Sequence, residues 1–162
     1  MQIITTNFWF DTQAEEAARF YCDIFKESEI AGITRYGKEG YEIHGMAEGT
    51  VMTVDFQLEG QHFVALNGGP AFKFNEAISF IVHCETQEEV DYFWEKLGEG
   101  GDPEAQQCGW LKDKYGVSWQ IIPTQLDELF ANPDPEIAER VMKAFLAMKK
   151  IDIEMIIQAS RG

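Results

Sequence analysis

A pattern that occurs twice constrains the fold of this chain more than any other feature. The segment Phe10-Asp-Thr-Gln-Ala-Glu-Glu and the segment Cys84-Glu-Thr-Gln-Glu-Glu-Val each follow an apolar, strand-like run and open a helical pattern. Residues 56–63 and 111–118 are likewise equivalent hairpin segments. The chain is therefore predicted to use one β-α-β-β-β unit twice. Pairing two such units buries the sheet face that each helix leaves uncovered.

The first copy is predicted to contain one helix and four strands. Thr12 and Glu15 fit a capping box, which predicts a helix over residues 13–25. The polar, glycine-rich residues 37–49 indicate a loop. Strands are predicted over residues 3–10, 28–36, 50–58 and 61–66. In the strand over residues 50–58, the side with Asp55 is expected to face away from the apolar side that carries Phe56.

The second copy begins with a strand over residues 77–84. Thr86 and Glu89 form another capping box, so a helix is predicted to run to about Leu97. A hairpin follows over residues 108–123. On its second strand Trp119 and Gln120 point to opposite faces, so one of them belongs to a core and the other does not.

The tail after residue 123 has a different, helical pattern. Residues 132–135 read as a helix start, because prolines are tolerated in a first helical turn. An apolar stripe and a further apolar run over residues 151–159 predict two helices. These helices either pack on the sheet, which we prefer, or lie in a subunit contact. We therefore predict a single domain over residues 1–162, with module one at about 1–70, module two at about 71–123 and a helical extension at about 124–162.

Charge and cysteine content exclude several classes of protein. The 28 acidic residues against 13 basic ones give a formal net charge of −15. Such a surface repels phosphate backbones and anionic lipids, so neither nucleic acid nor membrane is expected as a partner. Three cysteines without Cys-x-x-Cys spacing do not form a disulfide framework, and the first residues do not read as a secretory signal. A cytoplasmic location is expected.

Six segments together resemble one known family. The chain is similar to the PhnB-like, or 3-demethylubiquinone-9 3-methyltransferase-like, group of the vicinal oxygen chelate (glyoxalase/bleomycin resistance/dioxygenase) superfamily. The resemblance implies an α+β fold of two paired βαβββ modules with C-terminal helices, a cavity between the modules and, by analogy, a homodimer. The matching segments are residues 8–21, 66–70, 74–80, 87–94, 108–120 and 148–152.

The metal site of that superfamily does not transfer to this sequence. Metal enzymes of the superfamily place His or Glu on the first and last strands of each module. The equivalent positions here carry neutral side chains, which bind divalent cations weakly. No metal is therefore expected. These positions are Thr5, Thr6 or Asn7, then Leu66 or Asn67, then Ile78 or Ser79, and finally Gln120.

Other chemistries find little support among the residues. No glycine-rich turn leaves a strand to open a helix, so S-adenosylmethionine is not expected and no cofactor is predicted. His83 and Cys84 are adjacent on a strand and face opposite ways, which disfavours a metal pair. The cysteines are interpreted as structural, and Asp55 is a candidate acid or base only if its face lines the cavity.

The sequence thus predicts a protein that binds a small apolar molecule in a metal-free cavity. The strand faces are ambiguous by one residue, and with the opposite assignment Trp9 and Trp119 replace some of the lining residues named below. Two alternatives stay open, namely an enzyme (a methyltransferase or a metal-dependent lyase or dioxygenase) and a purely structural or interaction role. The predicted lining residues are Phe8, Phe10, Asn67, Ser79, Trp110 and Gln120.

Overall fold

A computed structural model describes residues 2–162 of the chain. Within this range the chain forms two compact units, one extending to Phe74 and the other spanning Asn75–Gly162. None of the helices in the described part of the chain is both long and apolar enough to cross a membrane. Each unit is described by itself below.

The first unit contains a four-stranded sheet, which we call sheet A, and one long helix. The sheet has the order β1-β4-β3-β2, with β1 parallel to β4 and the other neighbours antiparallel. A single helical turn, α2, interrupts the predicted loop. The elements are β1 (Thr6–Phe10), α1 (Ala14–Ile24), β2 (Ser28–Arg35), α2 (Tyr41–His44), β3 (Val51–Leu58) and β4 (Gln61–Asn67).

One face of sheet A is buried beneath α1. Phe8 stacks on Phe63 with ring centroids 5.6 Å apart and contacts Tyr21 of the helix at 6.2 Å. Small side chains on α1, such as Ala17 and Ala18, are fully buried and let the helix approach the aromatic layer closely. The alternation predicted for β3 is confirmed in its second half, because Val54, Phe56 and Leu58 are buried whereas Asp55 is exposed.

The start of α1 differs from the sequence prediction. The capping box of Thr12 and Glu15 is wrong, because α1 begins after Gln13 and has no local side-chain cap. Instead the backbone N–H of Ala14 donates to Oδ1 of Asn67, 2.8 Å away at the end of β4. The side-chain amide of Asn67 also donates, through Nδ2, to the carbonyl of Val51 at 3.1 Å. Asn67 therefore joins the helix start to two strands.

Replacement of Asn67 by alanine is expected to destabilise the protein. The change Asn67→Ala removes a helix cap and leaves buried backbone groups unpaired, at a cost of about 2 kcal/mol in the free energy of unfolding. Urea unfolding followed by far-UV circular dichroism measures this cost. Asn75→Ala is the matched control, because the Asn75 amide only accepts an exposed local bond from the N–H of Ala77. Equal midpoints for the two variants would contradict the role of Asn67.

The second unit contains a three-stranded sheet, sheet B, with the order β5-β7-β6. The fourth strand that a full repeat requires is not formed among the described residues. The segment between α3 and β6 instead contains Gly100, Gly101 and a 3₁₀ turn at Pro103–Ala105, and glycine and proline disfavour strand pairing. The predicted capping box of Thr86 and Glu89 is confirmed. The elements are β5 (Ser79–Cys84), α3 (Gln87–Gly98), β6 (Trp110–Lys112) and β7 (Ser118–Pro123).

The turn between β6 and β7 is organised by Asp113. Its buried carboxylate accepts bonds from the backbone N–H groups of Tyr115 and Val117 at 2.9 and 3.0 Å, and from the indole N–H of Trp119 at 2.9 Å. Gly116 takes a φ of 90°, which glycine adopts without strain. The turn thereby fixes Trp119 on the face of sheet B that lies under α3.

Three helices follow sheet B and share a hydrophobic cluster of their own. They are α4 (Thr124–Phe130), which the sequence pattern did not predict, α5 (Pro135–Leu146) and α6 (Ile153–Arg161). The cluster includes Ile122, which belongs to β7, so the extension packs on the end of the last strand. Its buried members are Ile122, Leu126, Val141, Met148, Ile151 and Ile156.

Gln87 ties this extension to the start of α3. Its side-chain amide donates to the carbonyl of Ile151 at 3.2 Å and accepts from the N–H of Ile153 at 2.9 Å. Lys150 forms an ion pair with Asp91 at 2.6 Å beside it. Hydrogen bonds from Lys150 and Gln87 lower the pKa of the Asp91 carboxyl below its ordinary value. The charged form of Asp91 is therefore the form that the folded extension favours.

Candidate functional site

The candidate site lies on the face of sheet B that is turned away from α3, here called the far face. The register of the three strands places Ser79, Ile81, Trp110 and Gln120 together on it. The amide Nε2 of Gln120 donates to Oγ of Ser79 across the parallel pair at 2.9 Å. Three predicted site residues, Ser79, Trp110 and Gln120, are thus neighbours in the structure.

The opposite face of the same sheet is core. Trp119 is 3% exposed, and Leu111, its cross-strand partner, is 1% exposed. A Cβ placed on Gly98 of α3 would lie 3.9 Å from Leu111, which identifies this face as the one beneath the helix. The sequence left open which of Trp119 and Gln120 belongs to the core. In the structure Trp119 is in the core and Gln120 is on the far face.

Apolar side chains surround the polar pair on the far face. Ile81 is directly opposite Gln120 in the parallel register and is 51% exposed. Trp110 is opposite Gln120 on the other side and is partly buried. An exposed aliphatic side chain beside a tryptophan and a neutral amide offers contacts to an apolar molecule together with one fixed hydrogen-bonding point.

The predicted site residues of the first unit have other roles. Phe8 and Phe10 are each 3% exposed and belong to the core under α1, where Phe74 also packs on both rings. Asn67 is 4% exposed and caps α1. These three side chains therefore lie on the side of sheet A that α1 covers, and not on the opposite side, which we call the far face of sheet A. In β1 the side chain that points to the far face of sheet A is therefore that of Trp9, and not those of Phe8 and Phe10 as the lining prediction assumed.

Trp9 is held at one edge of the far face of sheet A. Its indole N–H donates to the carbonyl of Gly69 at 2.9 Å, and its ring meets Phe72 edge-on with centroids 5.0 Å apart. Gly68 lies directly beneath the indole, because a Cβ placed there would be 2.4 Å from two ring carbons. Gly68 thus leaves room for the indole ring of Trp9, and Gly69 accepts its hydrogen bond.

Addition of one methyl group at Gly68 is expected to displace Trp9. In Gly68→Ala the new methyl overlaps the indole ring, so the bond to Gly69 is lost and overpacking costs about 1–3 kcal/mol. The Trp9 indole resonance in a ¹⁵N-correlated NMR spectrum, assigned with Trp9→Phe, reports the displacement. Gly37→Ala is the control, because nothing lies within 4 Å of a Cβ at that position. An unmoved Trp9 resonance in Gly68→Ala would show that the ring is not seated on this glycine.

A family model described as 3-demethylubiquinone-9 3-methyltransferase matches residues 2–122. A solved structure from Bacillus cereus, described as a putative 3-demethylubiquinone-9 3-methyltransferase, PhnB protein, is 41% identical with a TM-score of 0.63. It aligns over 75% of this chain and 99% of its own. The chain belongs to this PhnB-like family.

A more distant structure supports the fold alone. The protein PA1353 from Pseudomonas aeruginosa is 17% identical, with a TM-score of 0.56, and aligns over 76% of this chain and 98% of its own. No curated protein matched the chain. The PhnB-like assignment and the α+β fold predicted from the sequence are confirmed, and the family model ends before α4, so the three C-terminal helices lie outside it.

The side chains present in this PhnB-like protein do not fit a divalent metal. The far face of sheet B offers Ser79 and Gln120, whose neutral oxygens are weak ligands without carboxylate or imidazole companions. Among residues 2–162 no three His, Cys, Asp or Glu side chains lie together in a way that would hold a metal ion. His83 is on the far face but faces Asp127 at 3.6 Å, and Cys84 is buried on the other side.

The family description also raises the question of a methyl-donor cofactor. Helices α1, α3 and α4 each follow a strand, and the residues at these junctions are not glycines. Helix α2 follows glycine residues but is a single turn of four residues. None of the four junctions has the glycine-rich turn and long helix that would cradle a charged nucleotide-type cofactor.

Two of the three thiols have a raised pKa, which disfavours the nucleophilic thiolate. Burial raises the pKa of the Cys84 thiol to about 12, and the carboxylate of Glu89 adds to the effect. Burial also raises the pKa of Cys22, against the opposing hydrogen bond from Ser28. Cys108 is partly exposed, with Nε2 of Gln107 3.4 Å from its sulfur.

Alkylation is expected to separate the three thiols. Because thiolate is the reactive form, iodoacetamide at pH 8 should modify Cys108 first and leave Cys84 intact while the protein is folded. Peptide mass mapping over time measures the order, and Cys108→Ser is the control in which the fast phase disappears. Modification of Cys84 at the rate of Cys108 would contradict the burial described for β5.

A cleft elsewhere in the second unit differs in chemistry from the far face. It measures about 560 Å³ and lies beside the starts of α3 and α6. Its charged lining consists of Glu85, Asp152, Glu154 and Arg161, and Gln87 and Gln125 add amides. Three carboxylates against one guanidinium do not suit an uncharged apolar molecule, so this cleft is not the site predicted from the sequence.

Sequence reasoning did not place Ile81 or Ser118 on the far face of sheet B. Both residues point to the same side of the sheet as Ser79 and Gln120. Residues 77–84 are mostly apolar or small, so their sequence does not indicate which side chains face the core. The register with β7 supplies this information. Ser118 is buried although its strand position is on the same side as Gln120.

Proposed function

We propose that this PhnB-like protein binds a small, mostly apolar, uncharged molecule on the far face of sheet B. The observation that carries the proposal is the Gln120–Ser79 hydrogen bond set between Trp110 and the exposed Ile81. This arrangement gives an apolar surface with a fixed neutral polar group, which is the usual composition of small-molecule sites. The enclosure of that surface by a second module stays a prediction.

Charge supports the choice of an uncharged ligand. Lys112, also on the far face, is paired with Glu76, so its ammonium group is already neutralised. Gln120 and Ser79 carry no charge. A charged ligand moved from water to the Gln120–Ser79 pair would meet two neutral groups there, which compensate its desolvation poorly.

Binding of a defined probe tests the proposal. We expect 1-tetralone, an uncharged bicyclic ketone, to bind the wild-type protein in isothermal titration calorimetry. Gln120→Ala should weaken binding several-fold, because it removes the amide and loosens Ser79. Gln61→Ala is the matched control, since Gln61 is an exposed residue of β4 in the other unit. Absence of tetralone binding, or equal binding by the Gln120→Ala protein, would overturn the proposal.

A second candidate follows from the family description, which names a methyltransferase. That activity requires S-adenosylmethionine, so the same calorimetric titration with this compound discriminates between the two functions. We expect no heat of binding, because none of the strand–helix junctions described above fits the cofactor. Saturable binding of S-adenosylmethionine would favour the methyltransferase.

We propose further that the protein acts as a cytoplasmic homodimer, by analogy with the superfamily. Edge strands support self-association in general, because they leave unpaired backbone groups that a second chain satisfies. In sheet B both β5 and β6 are edges, and Ile78 just before β5 is 73% exposed.

A further inference from the structure

The cleft beside the starts of α3 and α6 is lined by charged side chains of both signs. The carboxylates of Glu85, Asp152 and Glu154 and the guanidinium of Arg161 line this space of about 560 Å³. Among residues 2–162 these four groups form no ion pair with one another or with any other side chain. The volume is typical of small-molecule sites, and the charges remain free to pair with a ligand.

The two signs of charge lie at opposite ends of one stripe along α6. Residues three or four positions apart on a helix share a face, so Glu154, Ile157 and Arg161 follow one another along the side that lines the cleft. A helix rises about 1.5 Å per residue, which separates Glu154 from Arg161 by about 10 Å along the axis. The stripe is therefore acidic at its start, apolar in its middle and basic at its end.

Stabilisation of α6 by its own charges explains only part of this pattern. An acidic residue in the first turn and a basic residue in the last turn complement the helix dipole, as Glu154 and Arg161 do. The helix dipole does not account for Glu85, which comes just before α3 and adds its carboxylate to the same cleft. The convergence of charges from two elements on one space points to a ligand.

Hydrogen-bonding groups of the cleft suit a peptide bond. The hydroxyl of Thr86 accepts a bond from the N–H of Glu89 at 3.2 Å, so its proton can be donated to a carbonyl oxygen. Nε2 of Gln158 donates to Glu154 at 3.1 Å, which leaves the amide oxygen of Gln158 to accept from an N–H group. One donor and one acceptor in the cleft thus complement the C=O and N–H groups of a short peptide.

We propose that this cleft binds an extended, apolar tripeptide with free termini. The ammonium group of the peptide lies at Glu85 and Glu154, and its carboxylate lies at Arg161. Three extended residues span about 10–11 Å, which matches the separation of the charged ends of the α6 stripe. A polyamine would bring an ammonium group against Arg161, and a dicarboxylate would bring one of its charges against Glu154. The site is separate from the far face of sheet B and goes beyond the function proposed there.

Leucyl-alanyl-leucine and its N-acetylated and C-amidated forms test the site. We expect the free tripeptide to bind in isothermal titration calorimetry and each blocked form to bind about threefold more weakly, as loss of one exposed ion pair implies. Arg161→Gln should weaken the free tripeptide by the same factor and leave the amidated form unchanged. Lys143→Gln is the matched control, because Lys143 is a basic residue in the last turn of α5 and does not line the cleft.

Three results would overturn the tripeptide site. They are an absence of tripeptide binding, equal binding of the free and blocked peptides, and an equal loss of the free and amidated peptides in Arg161→Gln. Saturable binding of spermidine without binding of the tripeptide would replace the proposal by a polyamine site. The function proposed for the far face of sheet B is tested separately, because binding of 1-tetralone should be the same in Arg161→Gln and in the wild-type protein.

Discussion

The burial of only one face of each sheet by its own helix is the constraint on which the rest of the structure depends. Side chains alternate along a strand, so a face committed to the helix fixes the direction of every residue on that strand. In sheet A the rings of Phe8, Phe56 and Phe63 occupy the helix side. In sheet B Leu111 and Trp119 do so. The side chains that alternate with these core residues point to the opposite face, where the candidate site of sheet B lies.

The sequence was informative about the elements because their signals are local. Thr86 and Glu89 are three residues apart and form the capping box that their spacing indicates. Asp113 and Gly116 make the turn of the second hairpin. These features depend on a few neighbouring residues, and local backbone chemistry is enough to specify them.

Features that depend on distant residues were not predictable in the same way. Thr12 and Glu15 have the spacing of a capping box, yet the helix start is capped by Asn67, which is 53 positions from Ala14 along the chain. The faces of β1 were misassigned for a similar reason, since Phe8, Trp9 and Phe10 are all aromatic and their sequence does not show which side meets α1. Helix α4 was missed because it follows β7 without a turn segment.

The second unit contains two kinds of buried polar side chain. Asp113 is a buried carboxylate with three donors, and it serves to hold a turn. Ser118 is a buried hydroxyl that has no hydrogen-bond partner among residues 2–162. The first kind stabilises the protein and specifies its local geometry. The second kind weakens the protein, and such residues are typical of places where function has shaped the sequence against stability.

The sharing of Ile122 between β7 and the C-terminal helices has an evolutionary consequence. The family model ends at residue 122, before these helices, and the Bacillus cereus relative aligns over 99% of its own length but over only 75% of this chain. A relative that lacks these helices has no cluster to cover an isoleucine at the end of its last strand. Acquisition of the helices and the choice of an apolar residue at position 122 are therefore coupled, so the two traits should be gained or lost together along a lineage.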